Sequence, residues 1–468
     1  MIEQAVRRAH EYHLNGDYLN AERLYDQIVA NDPEEPLSIY LYGCLFLDTQ
    51  RIGPAMQFLS RAMDLAHAQG KHKSMAYIPN ALGSVYRTIG HPEVARKLYE
   101  YAIELDPSDN SPFLNLGGLY INEGNPSLAL ELCNKVLEKY PEDPRTLKHK
   151  GLALLELGEF EEGWKFYKHR YDVDPNLPTR EFTPRPYECP HWEGQKVGTL
   201  AIHGEQGLGD EILFLSFLKE ARKRADKVVI ECNKRLVKLF ERSFGVKCYP
   251  DHESLIKENT PDAYCPMGSL GMYVGPIPDG FPYLVPDRSR VEYYRERLKS
   301  VGQGPYVALS WKGGTLKTHQ HVRNASISKW KNLLDVPCSF VSVQYGEAGR
   351  SANELEIPHW QETIDDIDEL AALIKACDLV VSVCNTTIHI AGALGVPCWI
   401  MTPSKPAWRY GIKGNSVPWY QSVKLFRQKE SWDDCFAEVK KELNEKATGL
   451  RITDAAVTRS TPTQDSGS

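Results

Sequence analysis

Three short segments combine small residues with side chains that can handle charge, and each falls between an apolar run and a helical pattern. The first is Gly204-Glu205-Gln206-Gly207-Leu208-Gly209-Asp210-Glu211. Its glycines allow a tight turn and close approach to a ligand, while Asp210 stands at a helix start, facing whatever occupies the cleft. The same letters also describe a glycine turn with an aspartate cap. No Gly-Lys-Ser/Thr follows, and the third glycine of the dinucleotide fingerprint is absent, so neither nucleotide loop is matched.

The second segment is Val383-Cys384-Asn385-Thr386-Thr387-Ile388-His389-Ile390-Ala391-Gly392-Ala393. Asn385, Thr386, Thr387 and the first amides of the following helix are expected to converge where a pyrophosphate can be held, with His389 able to donate to a phosphate oxygen. Ala391, Gly392 and Ala393 let that helix press on a sheet. The third segment runs from Trp311-Lys312-Gly313-Gly314 to Arg323-Asn324-Ala325-Ser326 and includes His319 and His321. Lys312 and Arg323 are suited to neutralising charge on a departing diphosphate. Two histidines one residue apart, with no carboxylate nearby in sequence, do not make a metal site.

The elements that must carry these segments follow from periodicity. Small residues in an AxxxY or AxxxL setting recur at Ala21, Ala55, Ala95, Ala129 and Gly163, the tetratricopeptide interval with one longer step. Ala9, Gly43, Gly83, Gly117 and Gly151 keep step where two helices of a hairpin must approach closely, and Tyr12, Phe46, Tyr86, Tyr120 and Leu154 form the bulky seam. Pro33, Pro107, Pro141 and Pro175 are expected to stop helices, whereas the second repeat has His67 there and extra residues around Gln69 to Ser74, read as a longer loop. Residues 1–175 are thus expected to form about five stacked hairpins, an α-solenoid whose concave face binds a protein or glycan. A proline-rich linker is expected over 176–195.

Beyond it, strand-like runs at Thr199–His203, Val228–Cys232, Tyr306–Trp311, Ser339–Gln344, Leu379–Val383 and Cys398–Met401 alternate with helical patterns such as Ile212–Arg224 and Leu236–Phe244. Such alternation builds parallel sheets covered by helices. The break near Tyr283–Gly304 divides the region into two lobes, 196–300 and 301–445, with a cleft between them, and 446–468 reads as a disordered tail.

Composition narrows the class of function. With 468 residues, 42% apolar content and a net charge of −7, the chain is large enough for several cores and lacks the basic excess of a protein that coats nucleic acid. No apolar stretch is long enough to span a membrane, and Met1 to Ala9 is charged rather than signal-like, so a cytoplasmic location is expected. Eleven cysteines without CxxC pairs fit reduced, packed thiols.

Together, GEQGLGDEI, SWKGG through RNASIS, HIAGALGVPCWIMTP, Trp408-Arg409-Tyr410 and Pro418-Trp419-Tyr420 through Leu425-Phe426-Arg427-Gln428 resemble the bacterial tetratricopeptide glycosyltransferases. These are similar to the heptosyltransferases of glycosyltransferase family 9 and, more distantly, to the O-linked N-acetylglucosamine transferases. The resemblance spans roughly Ile2 to Leu443 and implies an α plus α/β chain: a solenoid followed by a GT-B region of two Rossmann-like lobes, the first on the acceptor side and the second holding a nucleotide sugar without metal or other cofactor. By resemblance Asp210 is the general base, Arg323 the basic residue on the donor phosphates and His389 the histidine after the second-lobe turn. Gly207, Gly209, Gln344, Trp408 and Arg409 are expected near the cleft. The heptosyltransferase pattern carries Asp-Thr-Gly where this chain has Cys384-Asn385-Thr386, which leaves the donor sugar open. The competing reading is an inactive repeat scaffold with a degenerate sugar site; a dehydrogenase fits poorly because the glycine spacing fails.

Overall fold

The computed structural model describes residues 2–172, 185–314, 320–346 and 352–447. The chain divides into two compact units, Met1–Pro175 and Asn176–Ser468. Among the described residues no helix is long and apolar enough to cross a membrane.

The first unit is built from helices α1 (Ile2–Leu14), α2 (Tyr18–Asn31), α3 (Pro36–Asp48), α4 (Ile52–Ala68), α5 (Tyr77–Thr88), α6 (Pro92–Leu105), α7 (Ser111–Asn122), α8 (Pro126–Lys139), α9 (Pro144–Leu157) and α10 (Phe160–Tyr167). They pair as successive antiparallel hairpins, so the N-terminal unit is a helical repeat array of the tetratricopeptide kind. Ala21, Ala55, Ala95 and Ala129 are fully buried, as their column requires. Each first helix ends through a left-handed residue in step with the repeat: Gly16, Gly90, Gly124 and Gly158, with Gln50 taking that conformation in the second hairpin.

Two expectations need correction. The extra residues of the second repeat do not form a plain loop: α4 runs for 17 residues where α2, α6 and α8 run for 14, and a short 3-10 turn, His72–Met75, follows. Without a proline at His67 nothing stops the helix at its usual place. The glycine column is also not uniform. A methyl group on Gly83 would lie 2.6 Å from the Tyr99 ring, and one on Gly151 2.7 Å from the Tyr167 backbone nitrogen, yet one on Gly117 would meet nothing within 4 Å. The closing Pro175 lies outside the described residues.

The second unit holds two separate parallel sheets. Strands β1 (Val197–His203), β2 (Ala225–Glu231), β3 (Cys248–Tyr249) and β4 (Ala263–Pro266) form one, in the order β3-β2-β1-β4. Strands β5 (Tyr306–Ser310), β6 (Ser339–Ser342), β7 (Leu379–Val383), β8 (Cys398–Thr402) and β9 (Val423–Arg427) form the other, in the order β6-β5-β7-β8-β9. Both orders reverse direction, next to β1 in the first sheet and between β5 and β7 in the second, and crevices at such reversals are where open α/β sheets bind ligands. The apolar runs named from sequence supply the central strands; β3, β4 and β9 were not foreseen, being two residues long, ended by a proline, or embedded in a mixed-polarity run.

Three further placements differ from the sequence reading. The helix expected over Ile212–Arg224 begins earlier and breaks into short pieces, Leu208–Phe214, Leu215–Phe217, Leu218–Ala221 and Arg222–Arg224. Helix Arg288–Lys299, which the sequence assigns to the end of the first lobe, packs on helix Ile367–Ala376 beside the second sheet, with Arg290 Nε 2.9 Å from Glu369 Oε2. The linker's end is structured: Trp192 N–H donates to Tyr264 O at 2.7 Å and Tyr264 N–H to Pro190 O, which adds a short edge to β4. Residues 176–184 of that linker and nearly all of the expected tail lie outside the described residues.

The glycine column yields a direct check by denaturant unfolding. Gly117→Ala gains helix propensity without a clash and is expected to raise stability by about 0.5–1 kcal/mol. Gly151→Ala forces a backbone shift and is expected to lower it by about 1–3 kcal/mol; equal effects would mean the hairpin spacing differs from that described.

Candidate active site

On the first lobe, the turn after β1 is anchored from behind by two buried carboxyl groups. Glu205 Oε1 accepts the Gly268 N–H at 2.7 Å, and Glu211 Oε2 accepts the Asn233 N–H at 2.9 Å. Gly204 donates its N–H to Glu231 O at 2.7 Å, and a side chain there would lie 2.8 Å from the Glu211 carboxyl carbon, so only glycine lets the turn sit over that carboxyl. Burial pushes Glu211 up to about 8. The chain then enters helix α11 (Leu208–Phe214), where Asp210 Oδ2 accepts the Gly207 N–H at 3.2 Å. Asp210 is therefore a cap, as the plain reading of the segment held, and its second oxygen faces outward into an ion pair with Arg409.

On the second lobe, the ends of β5, β6 and β7 are tied together by amides. Asn385 Nδ2 donates to Ser310 Oγ at 2.7 Å, and its Oδ1 accepts the Thr387 N–H at 3.0 Å. Gln344 Oε1 accepts the N–H groups of Trp311 and Lys312, each at 2.8 Å, and its Nε2 donates to the carbonyls of Lys312 and Tyr345. A methyl on Gly313 would lie 2.7 Å from Cys384 O, so that glycine is what lets the two turns touch. Helix α12 (Thr386–Ala393) follows the β7 turn. A methyl on Gly392 would run to 2.4 Å from the Tyr420 ring, whose hydroxyl shares a 3.0 Å hydrogen bond with His389 Nδ1.

The lobes meet at these turns. A side chain on Gly209 would lie 2.8 Å from His389 Cδ2, so α11 reaches α12 only because Gly209 has none. Arg409 crosses the same gap: it pairs with Asp210, donates to Gln206 Oε1 at 3.1 Å, and lies over the Trp408 ring at 4.9 Å. The result is a cavity of about 480 Å³ lined from both lobes, in the size range of small-molecule sites.

Of the residues singled out in the sequence, Gly207, Gly209, Asp210, Arg323, Asn385, Thr386, His389 and Arg409 line this cavity. Lys312, Thr387, Gly392, Gln344 and Trp408 do not. Lys312 is exposed, Thr387 is fully buried, Gly392 makes room for Tyr420, Gln344 spends its amide on backbone groups, and Trp408 supports Arg409 from below. His321's side chain and His319 lie outside the described residues. Two chemical expectations change as well. The first α12 amides are not all open, since the Asn385 side chain takes that of Thr387. Burial, reinforced by the nearby Arg409 charge, lowers His389 to about 3, so its ring is neutral at physiological pH and can meet a phosphate as a dipole but not as a cation.

Gln206, Leu208, Gly314, Tyr345, Cys384, Ala407 and Tyr410 also line the cavity. Gln206, Leu208, Gly314, Cys384 and Tyr410 lie inside the segments already marked, and Ala407 and Tyr345 directly beside Trp408 and Gln344, but their side-chain types gave no separate reason to single them out. Burial raises the Cys384 thiol to about 12, leaving it uncharged. Among the described residues Arg323 makes no ion pair or hydrogen bond, and no three His, Cys, Asp or Glu side chains converge as a metal site.

Comparison with known proteins agrees on the repeats. Residues 80–144 match the tetratricopeptide repeat model. Protein FlbA of Caulobacter vibrioides is 29% identical over 447 residues, covering 87% of this chain and 72% of that protein, so the similarity runs through both units. Among solved structures, the MamA protein aligns over 40% of this chain and 98% of its own at 21% identity and a TM-score of 0.31. PilF of Pseudomonas aeruginosa aligns over 37% of this chain and 76% of its own at 16% identity and a TM-score of 0.33.

The buried Glu211 gives a test with a definite sign. A carboxyl raised from 4.5 to about 8 contributes stability that is complete below its unfolded value and is lost as pH rises through 8. Glu211→Gln, which keeps an acceptor for Asn233, is therefore expected to melt progressively higher than wild type as pH climbs from 5 to 8.5, by scanning calorimetry. A pH-independent difference would mean that Glu211 is ionised in the folded protein.

Proposed function

We propose that the second unit is a glycosyltransferase of the GT-B kind, moving a sugar from a nucleotide-sugar donor to an acceptor hydroxyl, with the repeats recruiting the acceptor or a partner protein. The observation that carries this reading is one cavity with a carboxylate, Asp210, on the first lobe and two guanidinium groups, Arg323 and Arg409, on the second. Inverting transfer needs that pairing: a base that takes the acceptor's proton as its oxygen attacks the anomeric carbon, and cations opposite it that stabilise the leaving diphosphate. In this scheme Arg323 and Arg409 bind the diphosphate, Thr386 and the neutral His389 ring supply uncharged hydrogen bonds, and no metal is required.

The Asp210 and Arg409 ion pair adds a step to the mechanism. The Asp210 oxygen that would accept the proton is already occupied by a guanidinium, so Arg409 must move aside before an acceptor hydroxyl can reach it. Diphosphate oxygens compete for the same guanidinium, and an Arg409 drawn to the donor frees Asp210. Donor binding would thereby activate the base in the same event that positions the sugar.

A second reading has its own support. The resembled family carries an acid where this chain has the uncharged Cys384, and Asp210 is already engaged, both of which suit a scaffold that binds nucleotide sugar without turning it over.

The readings separate on two variants. Asp210→Asn is expected to abolish transfer from whichever uridine, adenosine, guanosine or cytidine diphosphate sugar the wild type uses, and to leave affinity for the nucleoside diphosphate unchanged or higher. Transfer persisting in that variant would remove Asp210 from the chemistry, and no turnover by wild type with any donor would favour the scaffold. Arg323→Ala is expected to weaken nucleoside diphosphate binding by about 1.5–3 kcal/mol, the scale of one charge-assisted contact; equal affinity by calorimetry would contradict its role.

A further inference from the structure

The loop between β8 and β9 carries three of the residues that line the cavity, Ala407, Arg409 and Tyr410, on and beside a short 3-10 turn, Trp408–Tyr410. Its backbone is gathered around one side chain. Arg427, the last residue of β9, donates from Nε to Gly414 O at 2.6 Å, from Nη1 to Gly411 O at 2.9 Å, and from Nη2 to Tyr410 O and Lys413 O at 2.6 and 3.0 Å. For four carbonyls to face one guanidinium the chain must turn back on itself, and Gly411 and Gly414 do so at φ of +57° and +76°. A methyl group on either would meet nothing within 4 Å, so it is backbone conformation, not space, that calls for glycine there.

Among the described residues Arg427 has no carboxylate partner, and it does not line the cavity. A half-buried guanidinium that meets only carbonyl dipoles is not there to form an ion pair. What it supplies is geometry: its planar fork fixes four carbonyls at once, which the three hydrogens of an ammonium group cannot do. On the other side of Arg409, Trp419 Nε1 donates to Arg409 O at 2.7 Å, and the buried Trp419 ring lies edge-on to Trp408 at 5.7 Å. The carbonyls of residues 409 and 410 are therefore both tied down, and Arg409 is left with its side-chain torsions to move by.

We propose that Arg427 is a positioning residue for Arg409: by holding the loop's carbonyls it keeps the Arg409 backbone fixed while the guanidinium exchanges Asp210 for the donor's diphosphate. This rests on the reading of the cavity as a nucleotide-sugar site and adds to it a residue that lies outside the cavity. With the backbone fixed, the exchange is the swing of one side chain between two partners, which costs less entropy on binding than ordering a loop.

The test uses the full chain, with inorganic pyrophosphate as the anion and calorimetry as the readout. Arg427→Lys keeps the charge but not the fork and is expected to bind pyrophosphate about tenfold more weakly than wild type. Arg409→Lys is expected to lose at least as much, and the double variant to bind no more weakly than Arg409→Lys alone, because Arg427 acts through Arg409. A residue that merely stabilised the fold would give losses that add. In the ligand-free protein, hydrogen exchange of amides in 408–415 is expected to quicken in Arg427→Lys while β1 and β5 exchange as in wild type. Trp419→Phe, which removes the donor to Arg409 O, is expected to weaken pyrophosphate in the same direction and keeps the idea open to refutation if Arg427→Lys misfolds. The inference is overturned if either single variant, Arg427→Lys or Trp419→Phe, binds pyrophosphate as wild type does, if the losses add, or if exchange in 408–415 is unchanged. Should wild type bind neither pyrophosphate nor any of the four nucleoside diphosphates, the transferase reading is what fails, and the exchange experiment still decides whether Arg427 holds the loop.

Discussion

The approach of Gly209 to His389 is the constraint on which the rest of the second unit depends. With a methyl group there only 2.8 Å from the ring, the two turns can meet at one place and in one way. That contact sets the gap that Arg409 spans to reach Asp210, and so brings a carboxylate and a guanidinium from different sheets into one cavity. The ring itself is held by Tyr420, and Tyr420 has room only because residue 392 is glycine. Behind the opposite wall, the Glu205 and Glu211 carboxyls hold the first turn rigid, and Asn385 and Gln344 do the same for the second. Many of the polar groups near the cavity are spent on holding backbone. Three charged groups line the cavity itself: Asp210 and Arg409, which pair with each other, and Arg323.

This division explains what could be read from the letters. Periodicity announced the helical array because every hairpin must bury the same small residue in the same place, and Ala21, Ala55, Ala95 and Ala129 are all fully buried. It could not distinguish Gly117 from Gly83 or Gly151, since the room beside each depends on what the neighbouring helix presents. Apolar runs revealed the central strands, which are covered on both faces, but not β3 or β4, which are too short to show a pattern. In the cavity, the glycine-bearing turns were legible because close approach demands glycine. The partners of each side chain were not: Gln344, Thr387 and Lys312 are of the right type in the right segment, and only three-dimensional placement shows that the first two serve the scaffold and that the third, though exposed, does not line the cavity.

The second unit pairs its cavity cations, Arg409 with Asp210, or sets them against uncharged neighbours such as Cys384 and His389, so that a negatively charged ligand meets few competing anions.

The central claim is that a single nucleotide-sugar site is shared by both lobes, and hydrogen exchange followed by mass spectrometry tests it most directly. On addition of the nucleoside diphosphate that gives the largest thermal shift, backbone amides in 204–210 and in 384–389 are predicted to gain protection together, at the same ligand concentration. Protection confined to one of these segments, or appearing in neither while ligand is bound elsewhere, would contradict the account.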